Sequence, residues 1–174
     1  MPNHLSPLGI FHTAISALAV LFALYALIRY GKIDPATGVG KLYIILTAIG
    51  CLTAFPIMKT GHLSAGHGLA VIVLLLLPIG IYAKSIRFFG KGAEYIQTIV
   101  MSSTLFFSMI PATIETLTRL PISHPLAADP NDPIAKMGLL ILVTLYIAGV
   151  LYQIVKIRSK RKPAGTPDST ATLS

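Results

Sequence analysis

Five predominantly apolar runs, at about 8–28, 42–58, 65–83, 95–117 and 134–155, constrain this chain more than any other feature. A helix needs roughly 20 such residues, with about 17 to 25 tolerated, to cross a hydrocarbon core. Inside that core no water is present to bond backbone amides, so a single helix must satisfy its own. The chain therefore reads as all-α, an integral membrane bundle of five transmembrane helices. The second and third runs are the shorter ones and fit thinner lipid or less tilt. Composition agrees: only 11% of residues are charged and 54% are hydrophobic, where a soluble domain carries roughly 25% charged residues.

The net charge of +8 would suit nucleic acid on a soluble protein, but here the cations stand at the ends of the runs and in the C-terminal tail. No nucleic-acid partner is expected. Arg29, Lys32, Lys41, Lys84, Arg87, Lys91, Lys156, Arg158, Lys160, Arg161 and Lys162 fall on one side of the spans; Lys59, Arg119 and Lys136 fall on the other. Cytoplasmic loops carry the excess of Lys and Arg, so the first side is cytoplasmic, the N-terminus is outside and the C-terminus is cytoplasmic. Tyr25, Tyr30, Tyr43, Tyr82, Tyr95 and Tyr152 lie near the same ends, where amphipathic rings favour the interface.

The first run has no preceding basic residue and no small-residue cleavage pattern, so it reads as a retained span and not a signal peptide. Residues 1–162 are expected to form one transmembrane bundle, and 163–174, PAGTPDSTATLS, a disordered cytoplasmic tail. Between the fourth and fifth runs, LPISHPLAADPNDP places prolines at 121, 125, 130 and 133. No helix continues through such spacing, which predicts an extended or multiply turned outer lid. Cys51 is the only cysteine, so neither a disulfide nor a Cys-based metal site forms within one chain.

Helices in lipid meet through small and weakly polar residues, and this rule assigns inward faces. His12, Ser16, Ala19, Ala23 and Ala26 make one stripe of the first span; Tyr43, Thr47, Gly50 and Ala54, with Cys51 beside them, make one of the second. The fourth span is the most polar. Gln97, Met101, Thr104, Ser108, Ala112 and Glu115 follow steps of three or four, and Pro111 should bend the helix before Glu115. Gly138, Leu142, Tyr146, Gly149 and Gln153 give the fifth a weaker seam, whereas the third shows almost no facial polarity.

All five histidines, His4, His12, His62, His67 and His124, fall on the outer side under this topology. The turn KTGHLSAGHG, 59–68, carries two of them. Gly61 is expected to end the second helix and Ser64 to cap the third, putting His67 in its first turn and His62 in the turn itself. Imidazoles facing one another across a bundle can bind a transition metal or ligate haem b iron, with a carboxylate such as Glu115 as ligand or orienter. His12 and His67 are the leading candidates and His62 the weaker one. Plainer roles compete: a core His12 bonded to Ser16 or to another helix, a Glu115–Arg119 ion pair four residues apart, and a lid position for His124. Motifs such as GxSxG, HExxH, a Walker loop or paired cysteines are absent from the sequence.

With GVGKLY opening the second span and GHLSAGH the third, the chain resembles small uncharacterised multi-pass proteins of the bacterial inner membrane over roughly Phe11 to Arg119. A more distant likeness is to families with a His-Arg pair before G-[KR]-x-Y and a further histidine before the next-but-one helix. Ala36-Thr37 and Gly92-Ala93 occupy those regions here, so that cytoplasmic histidine set is missing and no cofactor carries over. Four-helix membrane cytochromes of b type are similar in architecture alone. Three readings stand open: an outer-face metal or haem site for electron transfer or metal handling; a small transporter or channel component whose path follows Gln97, Thr104 and Ser108; and a non-catalytic assembly subunit. The expected partners are the bilayer and either a second copy or another membrane subunit.

Overall fold

Helices form here where the apolar runs meet their end signals. The computed structural model describes residues 6–57 and 65–161. Its α-helices are α1 (Pro7–Tyr30), α2 (Gly38–Ala54), α3 (Ala65–Tyr82), α4 (Ala93–Arg119) and α5 (Pro133–Arg161), with a 3-10 turn, Arg87–Gly92, leading into α4. No strand occurs among the described residues. His4, His62, Gly61, Ser64 and the tail 163–174 lie outside them. Four helices, α1, α3, α5 and α4 with the turn before it, are long and apolar enough to cross a membrane; α2 is apolar but has 17 residues. At ~1.5 Å per residue α2 is about 26 Å long, a few ångströms short of a ~30 Å hydrocarbon core. Such a set of apolar helices fits a membrane protein.

The ends are set by side chains. Ser6 caps α1, its Oγ accepting from the Gly9 N–H at 3.1 Å, with Pro7 at the first position, where a missing N–H costs nothing. Gly31 closes α1 in the left-handed conformation (φ 77°), donating its N–H to Leu27 O; glycine takes that conformation without a Cβ clash. Thr37 caps α2 by accepting from the Gly40 N–H at 3.0 Å. The Thr37 hydroxyl in turn donates to Asp34 O. Asp132 caps α5, taking the Ile134 N–H on Oδ1 and the Ala128 N–H on Oδ2. These two N–H groups hold the Asp132 carboxyl below its ordinary pKa. Of the two forms its prolines allow, the segment from Leu120 to Asp132 is the multiply turned one, and it folds back so that Ala127 donates its N–H to Leu117 O and is buried.

Consecutive helices pack: α1 on α2, α2 on α3, α3 on α4 and α4 on α5. Short connections favour this antiparallel order. The small stripe of α1, Ala19, Ala23 and Ala26, is buried, and α2 buries Tyr43, Thr47, Gly50 and Cys51. The same core cluster continues through Ala70, Val73 and Leu77 of α3 to Met101 of α4. By contrast α5 buries only Ala135, Gln153 and Ile157. Many of its other apolar side chains, Leu140, Leu145 and Leu151 among them, are exposed, as lipid-facing residues are.

The turn between α1 and α2 leaves no room at Gly40. A Cβ there would overlap the Asp34 carbonyl, a backbone group that cannot swing aside, whereas a Cβ at Gly38 would meet open space. Gly40→Ala is expected to destabilise the protein by about 1–3 kcal/mol and Gly38→Ala to leave it within about 0.5 kcal/mol. Thermal unfolding in detergent checks the pair, and equal unfolding temperatures for the two variants would contradict this account of the turn.

Candidate functional site

The sequence directs attention first to the outer histidines. His12, on α1, is half-buried, and its Nδ1 lies 3.0 Å from Gly50 O and 3.1 Å from Thr53 Oγ1, both on α2. A carbonyl only accepts, so Nδ1 carries the proton in that bond and the neutral ring keeps its Nε2 lone pair. His67, in the first turn of α3, is 5% exposed, with its ring centroid 6.1 Å from that of Phe55 at the end of α2. Both rings thus pack on α2, His12 from α1 and His67 from α3. Glu115 stands on the other side of the connection, near the end of α4, half exposed and ion-paired with Arg119 one turn on. His124 is exposed in the lid, its N–H bonded to Pro121 O. Among the described residues, no three of His, Cys, Asp and Glu come together as a metal ion would require.

The polar face of α4 does bring residues together, across helices. Gln97 is buried and donates its Nε2 to Gly80 O of α3 at 3.0 Å. Thr104, fully buried, shares a 2.8 Å hydrogen bond with the Tyr43 hydroxyl of α2 and donates to Met101 O. Toward α5, Ser102 donates to Gln153 Oε1 at 2.9 Å, and Ser103 bonds the Tyr146 hydroxyl at 2.8 Å. Ser108 turns back to Thr104 O within α4. The Tyr146 ring also stacks on Phe106, with centroids 4.6 Å apart. One helix is therefore tied by side-chain hydrogen bonds to three others. The expected stripe holds from Gln97 through Met101 to Thr104, which are buried, and fails at Ala112 and Glu115, which are exposed; the lid folds back on the helix beyond them, where Ala127 donates its N–H to Leu117 O.

A second polar cluster joins the opposite ends of α1, α4 and α5. Glu94, in the first turn of α4 before its apolar part begins, accepts from Lys32 Nζ at 3.0 Å and Arg161 Nη2 at 3.1 Å. Arg161 also donates to Lys91 O and lies 4.9 Å from the Tyr95 ring centroid. Asp34 lies 3.5 Å from Lys32 and 3.7 Å from Lys84. A carboxylate at a helix N-terminus and cations at a helix C-terminus both complement the backbone dipoles. The Lys32 ammonium, hydrogen-bonded to it, holds the Glu94 carboxyl below its ordinary pKa; burial opposes this and Arg161 adds to it. Burial pushes the Asp34 carboxyl up, but the Ala36 N–H and the Lys84 and Lys32 charges outweigh it, and its pKa lies below the ordinary value. Periodicity does not find this cluster. Its signal is charge imbalance: apart from Asp168 in the tail, Asp34 and Glu94 are the only carboxylates on the side that holds eleven of the fourteen cations.

No protein-family model, curated protein or solved structure matches the chain, consistent with a protein that has no close characterised relative.

A depressed carboxyl pKa contributes stability that is present above the unfolded value, near 4.5 for glutamate, and is lost as pH falls through the folded one. The Glu94 contribution to thermal stability in detergent is expected to be fully present above about pH 5 and to be lost as pH falls below about 4.5. Glu94→Gln should lower stability at pH 7 by less than about 1 kcal/mol, since the pair is partly solvent-screened, and flatten the acid limb. Parallel curves for the two proteins would show that Glu94 is not part of the acid response.

Proposed function

We propose that this protein is a non-catalytic assembly subunit of a bacterial inner membrane, crossing it five times with its N-terminus outside and its C-terminus in the cytoplasm. One observation carries the functional part: the polar residues at the heart of α4 bond to other helices of the same chain. Gln97, Ser102, Ser103 and Thr104 reach α3, α5, α5 and α2 in turn. A transport path needs polar groups that face a continuous channel and change partners as the substrate passes. Polar residues engaged in this way act as links between helices instead. The faces left for a second copy or another subunit are then the outward apolar side chains of α5, among them Leu140, Leu145 and Leu151. The topology is supported by the distribution of Lys and Arg and by α2, whose helix with the turn after it approaches the length of a span.

A second reading is favoured by the orientation of His12. Metal-ligating histidines characteristically give their other ring N–H to a carbonyl or carboxylate, and His12 donates Nδ1–H to Gly50 O. An outer-face transition-metal or haem b site would use His12 Nε2 with His67, and Glu115 or His62 as further candidates. The donor set among the described residues falls short of three metal-binding groups, which ranks this reading second.

One preparation tests both. In reconstituted vesicles the assembly reading predicts no pH-dependent cation flux above empty vesicles. It also predicts that Gln97→Ala and Ser102→Ala lower the unfolding temperature by a few degrees, each interhelical bond contributing about 0.6–1.7 kcal/mol. A flux abolished by Gln97→Ala at unchanged unfolding temperature would overturn it. A visible haem band or stoichiometric metal, lost in His12→Ala and His67→Ala, would establish the second reading in its place.

A further inference from the structure

A small cavity lies where the turn after α1 meets the first turns of α4 and the last turns of α5. Its volume is about 30 Å³, room for one water-sized group. Lys32, Glu94, Thr98, Gln153, Lys156 and Lys160 line it. Three lysines and one carboxylate thus line it; that carboxylate is engaged by Lys32 and by Arg161, and Lys32 also lies 3.5 Å from Asp34. Among the described residues no carboxylate pairs with Lys156 or Lys160; Lys156 Nζ lies 5.5 Å from the Tyr152 ring centroid. The lining of the cavity therefore carries excess positive charge, with Lys156 and Lys160 on the last turns of α5.

Thr98 is 2% exposed, and its Oγ1 has no hydrogen-bond partner among the described residues. Helical hydroxyls commonly donate to the carbonyl four residues back, as Ser103, Ser108 and Thr118 do in the same helix. A buried hydroxyl left without a partner is costly. Thr98 faces the cavity, where an acceptor oxygen would satisfy it.

We propose that this cavity binds the phosphate of a phosphorylated anion. One non-bridging oxygen enters to accept from the Thr98 hydroxyl, and the remaining charge sits among Lys32, Lys156 and Lys160 at the mouth. A single oxygen matches the volume, and a polyanion matches Lys156 and Lys160, the two lysines of the lining with no carboxylate partner among the described residues. Two sources supply this chemistry, an anionic phospholipid headgroup and a free phosphate. The position at the ends of three helices matches the basic pockets between membrane helices that hold anionic headgroups. The inference depends neither on the assembly reading nor on which side of a membrane this end faces.

The test is native mass spectrometry of the delipidated full-length chain in detergent, titrated separately with phosphatidylglycerol, phosphatidylcholine and inorganic phosphate. Phosphatidylglycerol should bind more tightly than phosphatidylcholine. Lys156→Gln and Lys160→Gln should each weaken it about fivefold, Thr98→Val should weaken it by a similar factor, and Lys136→Gln at the far end of α5 should leave it unchanged. Binding of inorganic phosphate with the same pattern of losses, and none of phosphatidylglycerol, would assign the site to a soluble phosphate and support the same chemistry. The proposal is overturned if neither ligand binds. It is also overturned if the lysine variants bind as the parent does, or if a helical, folded Thr98→Val variant binds unchanged, which would leave only a basic rim around a water. Should Thr98→Val not fold, the two lysine variants decide.

Discussion

Hydrogen bonds between side chains on different helices are the interaction on which this structure depends. Apolar side chains gain little by leaving lipid for one another, so helices in that solvent associate through close packing of small residues and through polar contacts. Both are present, and they are distributed unevenly. The α1–α2 pair closes on Ala19, Ala23 and Ala26, a stripe small enough to bring the backbones near. The α4 helix contributes polar links instead: to α2 through Thr104 and Tyr43, to α3 through Gln97 and Gly80, and to α5 through Ser102 with Gln153 and Ser103 with Tyr146. Remove α4, and α5 loses the one helix it packs on extensively.

The two ends of the bundle are built on different chemistry. At one end the cations Lys32, Lys84 and Arg161 meet Asp34 and Glu94, and the carboxyls are held ionised by what surrounds them. This draws the turn after α1, the start of α4 and the end of α5 together, although α1 and α5 are far apart in sequence. At the other end the charges are few, Glu115 pairs with Arg119 of its own helix, His12 is held by the Gly50 carbonyl and Thr53, and His67 lies beside Phe55. Ionic cross-linking between helices thus belongs to the lysine-rich end, and a histidine bonded across α1 and α2 to the other.

Much of the fold is legible in the sequence because one solvent imposes one rule. Apolar length gives the helices, and small or polar residues at helical spacing give the buried faces of α1, α2 and the first half of α4. The third run shows the limit of that rule. Its buried line, His67, Ala70, Val73, Leu77 and Gly80, is regular, but Val and Leu also cover its lipid face, so side-chain type does not mark it. The outer half of α4 shows another limit: Ala112 and Glu115 continue the spacing of Gln97 and Thr104, yet α3 and the lid do not cover them. Least legible is the cluster around Glu94. It joins residues 62 and 67 positions apart, and only the scarcity of carboxylates among many lysines hints at it. The orphaned Thr98 hydroxyl is invisible to spacing altogether, since it differs from its helical neighbours by what it does not bond.

The central claim is that α2 and α3 form a transmembrane hairpin, which makes five spans where, among the described residues, four helices are long enough on their own. Cysteine accessibility in intact cells tests it most directly, on a Cys51→Ser background with Ala36→Cys, Ser85→Cys or Ala128→Cys introduced singly and an impermeant maleimide as probe. The five-span account predicts that Ala128→Cys labels from outside, whereas Ala36→Cys and Ser85→Cys both stay protected until the membrane is permeabilised. Labelling of Ala36→Cys and Ser85→Cys from opposite sides would contradict it, because α2 would then not cross.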